Sequence, residues 1–105
     1  MNDSASTVVD DVENHRFLYA EEGHEAQLVY YVEPEGLILE HTEVPDELGG
    51  RGIGGKLVLA AVERAETTGE TVLPWCSFAR KWLTDHPEVA ARVVIDWREP
   101  PAEEQ

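Results

Sequence analysis

The stretch Val44-Pro45-Asp46-Glu47-Leu48-Gly49-Gly50-Arg51-Gly52-Ile53-Gly54-Gly55-Lys56 sets five glycines in the seven positions from 49 to 55. Glycine adopts φ > 0 at little cost and puts no Cβ between the main chain and a ligand. The helix expected after the loop begins with N–H groups that lack intrahelical acceptors, and the positive end of its dipole faces the loop. Such a place suits an anion, and a pyrophosphate above all. Arg51 and Lys56 bring two of the chain's eight positive charges to it. The alternative is a glycine-rich turn with no ligand, which would cost ordering entropy at five glycines without a packing return.

Upstream of the loop the apolar period is two. Ala26, Leu28, Tyr30 and Val32 alternate with Gln27, Val29, Tyr31 and Glu33, which predicts a strand. Glu33-Pro34-Glu35-Gly36 reads as a reversing turn. Leu37 to Val44 returns as the next strand, with Leu37, Leu39, His41 and Glu43 expected on one face. Arg16–Ala20 opens the series before the turn Glu21-Glu22-Gly23, and Pro45 closes it because proline has no N–H for a ladder.

Downstream the period changes. Ile53, Leu57, Ala60, Ala61 and Ala65 recur at three- and four-residue spacing, which predicts an amphipathic helix ending at Thr68-Gly69. Thr71–Pro74 then reads as the second strand of a β-α-β crossover. Cys76 or Ser77 opens another helix with Phe78, Ala79, Trp82 and Leu83 in one stripe. Asp85-His86-Pro87 breaks it, and a last short helix is expected through Val93 or Val94. The expected fold class is mixed α and β (α+β). An antiparallel meander and a β-α-β unit would share one mostly antiparallel twisted sheet with two to three helices. A single domain is expected over 14–97, between disordered tails at 1–13 and 98–105.

Composition narrows the function. The 105 residues carry 22 acidic against 8 basic side chains, a net charge of −14. That field repels nucleic acid and anionic membranes and steers cationic partners inward, although solubility alone also accounts for it. No apolar run approaches the roughly 20 residues of a membrane span, and the polar, acidic start is unlike a signal peptide. The lone Cys76 has no intrachain disulfide partner, so a reducing, cytoplasmic setting is expected. His15, His24 and His86 show no ligand spacing with Cys76, and no metal is expected.

No Gly-Lys-Ser/Thr follows the glycines, so the loop is not a Walker A loop. Gly50, Gly52 and Gly55 meet a dinucleotide fingerprint loosely, but a Rossmann unit needs a parallel opening strand and more length. Arg51-Gly52-Ile53-Gly54, preceded by His41-Thr42-Glu43-Val44-Pro45, resembles instead the pyrophosphate motif Q/R-x-x-G-x-G/A of GNAT N-acetyltransferases. HTEVP (41–45), GGRGIGGKLV (49–58), LPWCSFARKWL (73–83) and HPE (86–88), in this order, are similar to the minimal stand-alone members of that family. Gly49 stands where the family has Gln or Arg, which removes a side chain but no backbone amide.

The resemblance implies a splayed pair of strands with the pantetheine of acetyl-CoA or coenzyme A lying in the splay after Val44. It implies a cofactor site of Val44, Gly49, Gly50, Arg51, Gly52, Ile53, Gly54, Gly55 and Lys56. Phe78 and Trp82 would either wall the CoA arm or pack as core. Cys76 lies where the thioester would end, and an ionised thiol there would accept the acyl group; its alternative role is a small buried hydrophobe. His41 and Glu43 are competing general bases, and each has a purely structural alternative. The tyrosine that many members carry on the following helix as a general acid is missing, and Phe78 and Trp82 do not replace it. The implied activity is acetyl transfer to an amine, either a small molecule or a basic protein tail. The alternative is a non-catalytic acyl-CoA-binding module. The chain is expected to be a monomer or a weak homodimer.

Overall fold

The alternating residues of 24–33 form the longest strand, β3 (His24–Glu33), at the centre of a five-stranded sheet. A computed structural model describes residues 8–101. β1 (Val8–Asp11) and β2 (Arg16–Glu21) precede the central strand, and β4 (Gly36–Glu43) and β5 (Val72–Pro74) follow it. Strand order equals chain order; the first four strands are antiparallel, and β5 runs parallel to β4. Between β4 and β5 the chain passes through α1 (Ile53–Thr68). α2 (Ser77–Asp85) and the short α3 (Pro87–Ala90) come after. This is the mixed α+β class that the two apolar periods predict.

One face of the sheet is covered. Phe17, Tyr19, Ala26, Leu28, Tyr30, Leu37 and Leu39 form a single apolar cluster with Leu57, Val58, Ala61, Val62 and Ala65 of α1. Ala79 and Leu83 of α2 join the same cluster. Each large side chain buried there contributes about 1.5–3 kcal/mol. Gly69 closes α1 in the left-handed conformation, its N–H bonding to the Ala65 carbonyl. The other sheet face stays half-buried or exposed at Val9, Arg16, Leu18, Gln27, Val29 and Tyr31, while Ile38 and Leu73 at its β4–β5 end are buried.

Three expectations need correction. The tail expected over 1–13 is ordered from Val8, where β1 pairs with β2 from Val8↔Tyr19 to Asp11↔Arg16; residues 1–7 lie outside the described residues. Asp10 anchors β1 by accepting bonds from Tyr30 Oη and Arg64 Nη1, contacts that no local pattern announces. The last helix ends at Ala90 and not at Val93 or Val94, because the chain turns there to lay Ile95 beside Val72 at the sheet edge.

The third correction bears on the site. Val29 of β3 faces His41 while Tyr30 faces Leu39, so Glu40 is an extra residue, a β-bulge. The phase of β4 therefore inverts in mid-strand. Thr42, opposite Leu28, joins Leu37 and Leu39 on the helix side. His41 and Glu43 turn to the open face and do not share a face with Leu37 and Leu39.

Candidate functional site

β4 and β5 separate early. Their pairing runs from Leu37↔Val72 to Leu39↔Pro74, and the Cys76 N–H then bonds to the Leu39 carbonyl at 2.8 Å. Pro74 has no N–H with which to continue the ladder, and the chain leaves into α2. From Glu40 to Glu43, β4 pairs with β3 alone, so its other edge offers free main-chain groups to the gap. The gap is the splay that the resemblance implies.

The glycine loop lies at the end of β4. After Pro45 a 3-10 turn, Asp46–Leu48, sinks Leu48 into the core and leaves Gly49, Gly50 and Gly52 outside. Gly50 (φ 77°) and Gly52 (φ 73°) adopt left-handed backbone, and no atom lies within 4 Å of where a Cβ would stand. Both facts are needed for a main chain that a ligand is to approach. Gly52 is the N-cap of α1 and supplies no side-chain cap. The first helical bond is Lys56 N–H to Gly52 O at 3.2 Å, so the amides of Ile53, Gly54 and Gly55 have no intrahelical acceptor.

Gly54 and Gly55 have a different cause. A Cβ on Gly54 would come within 2.7 Å of the Phe78 ring, and one on Gly55 would meet the Trp82 indole. These two are glycine because α2 lays its aromatics on the first turn of α1. Trp82 is then fixed from the other side by His86, stacked at 4.0 Å and 17°. Phe78 remains 42% exposed and borders an open groove of about 490 Å³ with Ser77, Lys81, Trp82 and Asp85.

Two cations flank the loop. Arg51 donates to Glu21 of β2 at 2.8 Å. Lys56 sits 5.6 Å from the centre of the Tyr19 ring and, among the described residues, forms no ion pair. Among the described residues every other lysine and arginine has a carboxylate partner. In a chain of net charge −14, a lysine without one beside free helix amides gathers positive charge where an anion would be favoured.

The chemistry-bearing side chains divide between the two faces of β4. Cys76, 8% exposed, lies at the start of α2, with its Sγ 3.2 Å from Thr42 Oγ1. His41 Nε2 lies 3.2 Å from Glu43 on the open face. Bonds from Gln27 and then His41 hold the Glu43 carboxyl below its ordinary range. The structure thus brings His41 and Glu43 together and puts Thr42, not His41, against Cys76. Sequence reading missed Thr42 and Glu21. Thr42 was hidden by the bulge, and Glu21 by its place in an ordinary turn far from the loop in sequence. Among the described residues no group of three His, Cys, Asp or Glu side chains is placed to hold a metal ion, and no helix is long and apolar enough to cross a membrane.

No curated protein matches the sequence significantly. A family profile described as GCN5-related N-acetyl-transferase matches residues 16–93, from β2 to the end of the segment after α3. That span contains the splay, the glycine loop, Thr42, Cys76 and the His41–Glu43 pair. The chain belongs to the GCN5-related N-acetyltransferase family.

Proposed function

We propose that this protein is an acetyl-CoA-dependent N-acetyltransferase, with the pyrophosphate held at Gly50–Gly55 and the acyl end delivered into the splay beside Cys76. The observation that carries the reading is the alignment of an open glycine loop, the unpaired Lys56 and a strand gap that ends at a thiol. The residues fit the cofactor: Gly50 and Gly52 leave room, the first amides of α1 supply donors, and Lys56 and Arg51 supply charge. When bound, acetyl-CoA supplies an activated thioester.

The free edge of β4 from Glu40 to Val44 orients the arm through main-chain groups. The Cys76 thiol would attack the thioester carbonyl, forming a cysteine thioester while its proton leaves with the CoA sulfur. Thr42 Oγ1, 3.2 Å away, shares a hydrogen bond with the Cys76 sulfur. An amine entering from the open face then attacks the cysteine thioester, giving the amide and releasing the Cys76 sulfur, which takes up a proton from solvent to become the thiol again. His41, steadied by Glu43, takes the proton that the amine loses. The acidic surface favours a cationic acceptor, either a small polyamine or a basic protein tail.

A second reading, an acyl-CoA-binding module without turnover, is favoured by α2, which offers Phe78 where many relatives carry a tyrosine acid. One experiment separates the readings: calorimetric titration with acetyl-CoA, followed by intact mass. Binding with a gain of one acetyl group, absent in Cys76→Ala, is the expected result. Binding without that mass and without turnover in an amine screen favours the binding module. Absence of binding at millimolar acetyl-CoA overturns both.

A further inference from the structure

Arg51 already holds an anion, and it is one of the protein's own. Glu21 ends β2, and both of its carboxylate oxygens are engaged. Oε1 accepts from Tyr19 Oη at 2.6 Å and Oε2 from Arg51 Nη1 at 2.8 Å. Tyr19 is buried, so its hydroxyl fixes the carboxylate from a rigid base. Lys56 stands over the same Tyr19 ring at 5.6 Å. The carboxylate therefore pairs with one cation of the glycine loop and feels the charge of the other, where a phosphate would be drawn. Among the described residues no other carboxylate pairs with Arg51.

We propose that Glu21 is an intramolecular competitor for the anion site, occupying Arg51 in the free protein and yielding it to a pyrophosphate-bearing ligand. The proposal rests on reading the glycine loop as the pyrophosphate site and adds a regulator to it. Exchange of partners costs Arg51 one charge-assisted bond while Tyr19 keeps the displaced carboxylate in place. The loop then favours ligands whose charge exceeds that of a single carboxylate, and it discriminates against singly charged anions.

The test is a double-mutant cycle on the whole chain with Glu21→Gln, Arg51→Gln and both together, read as calorimetric Kd at low salt. Coenzyme A is the probe, inorganic pyrophosphate a second probe, and pantetheine the phosphate-free control. An exposed ion pair is worth enough that Glu21→Gln tightens coenzyme A about two- to fivefold. That gain vanishes in the Arg51→Gln background, shrinks at high salt and is absent for pantetheine. Glu22→Gln changes net charge equally without touching Arg51 and leaves Kd unchanged. An unchanged or weaker Kd in Glu21→Gln overturns the proposal, as does an equal gain in Glu22→Gln or in the Arg51→Gln background. If no variant binds coenzyme A, the cofactor reading falls and the pyrophosphate cycle decides Glu21 by the same criteria. If pyrophosphate does not bind either, both fall.

Discussion

The two ends of α1 are built on opposite principles. At the C-terminal end Arg64 makes two bonds to Glu70, one to Tyr30 and one to Asp10, tying α1 to the two strands β1 and β3. Burial first, and then the bond to Asp10, push the Tyr30 phenol up to about 12. The N-terminal end has no side-chain cap, three amides without intrahelical acceptors and a lysine with no ion pair. One end satisfies its polar groups from within, and the other leaves them open. A helix can carry an unsatisfied end of this kind when its opposite end and its apolar face already fix it in place.

Arg64→Met tests the closed end and has the largest expected effect. It strands Glu70, Asp10 and the Tyr30 hydroxyl together, for a loss of about 2 kcal/mol. The melting temperature falls by roughly 10 °C, while calorimetric affinity for coenzyme A at 15 °C stays within twofold. A matching loss of affinity would break the division between the ends.

Lys56→Met tests the open end. Affinity for coenzyme A falls about fivefold at low salt and less at high salt, and the melting temperature is unchanged within 1–2 °C, about the shift of a few tenths of a kcal/mol. A stability loss as large as that of Arg64→Met would show that Lys56 serves the fold instead of a ligand.

The smallest effect is a pH dependence. Burial raises the Glu70 carboxyl, but the bonds from Arg64 and Thr68 outweigh it and hold the carboxyl below its ordinary 4.5. A lowered carboxylate contributes stability that is complete above its ordinary range and lost as pH falls through its value in the fold. Glu70→Gln is therefore less stable than the parent by about 1 kcal/mol at pH 7. The difference should close as pH falls below 4.5 and through the lowered value in the fold, followed by denaturant unfolding. A difference that persists at the acid end would assign Glu70 a packing role.

The fold was legible because two periods and one glycine loop are local signals. The alternation around Leu28 and Tyr30 set β3, the spacing of Leu57, Ala61 and Ala65 set α1, and the loop between them implied the crossover. What escaped was non-local. β1 is four residues long, and Asp10 finds Tyr30 and Arg64 20 and 54 positions away. The glycine run looked like one feature, yet Gly50 and Gly52 answer to backbone conformation and Gly54 and Gly55 to the rings of Phe78 and Trp82. A window of sequence holds no record of α2 lying across α1. The cations of the loop were readable for the same reason that the fold was, since Arg51 and Lys56 sit within it. Thr42 and Glu21 were not, since each acquires its role from a partner more than 25 residues away.

The extra residue at Glu40 works as a reading-frame shift in the strand. In an unbroken β-strand, His41 and Thr42 would occupy each other's faces. Deleting Glu40 would set His41 directly after Leu39, and the alternation would then keep the imidazole outside and the hydroxyl under the helices without a bulge. Holding Glu40 in a flat ladder would instead swing the imidazole under the helices and send the hydroxyl out to water. The bulge thus decides which side chain faces the thiol and which faces the open side of the sheet. A chain of this family with a flat ladder of the same length would need the reverse order of side chains after Leu39 to present the same two surfaces.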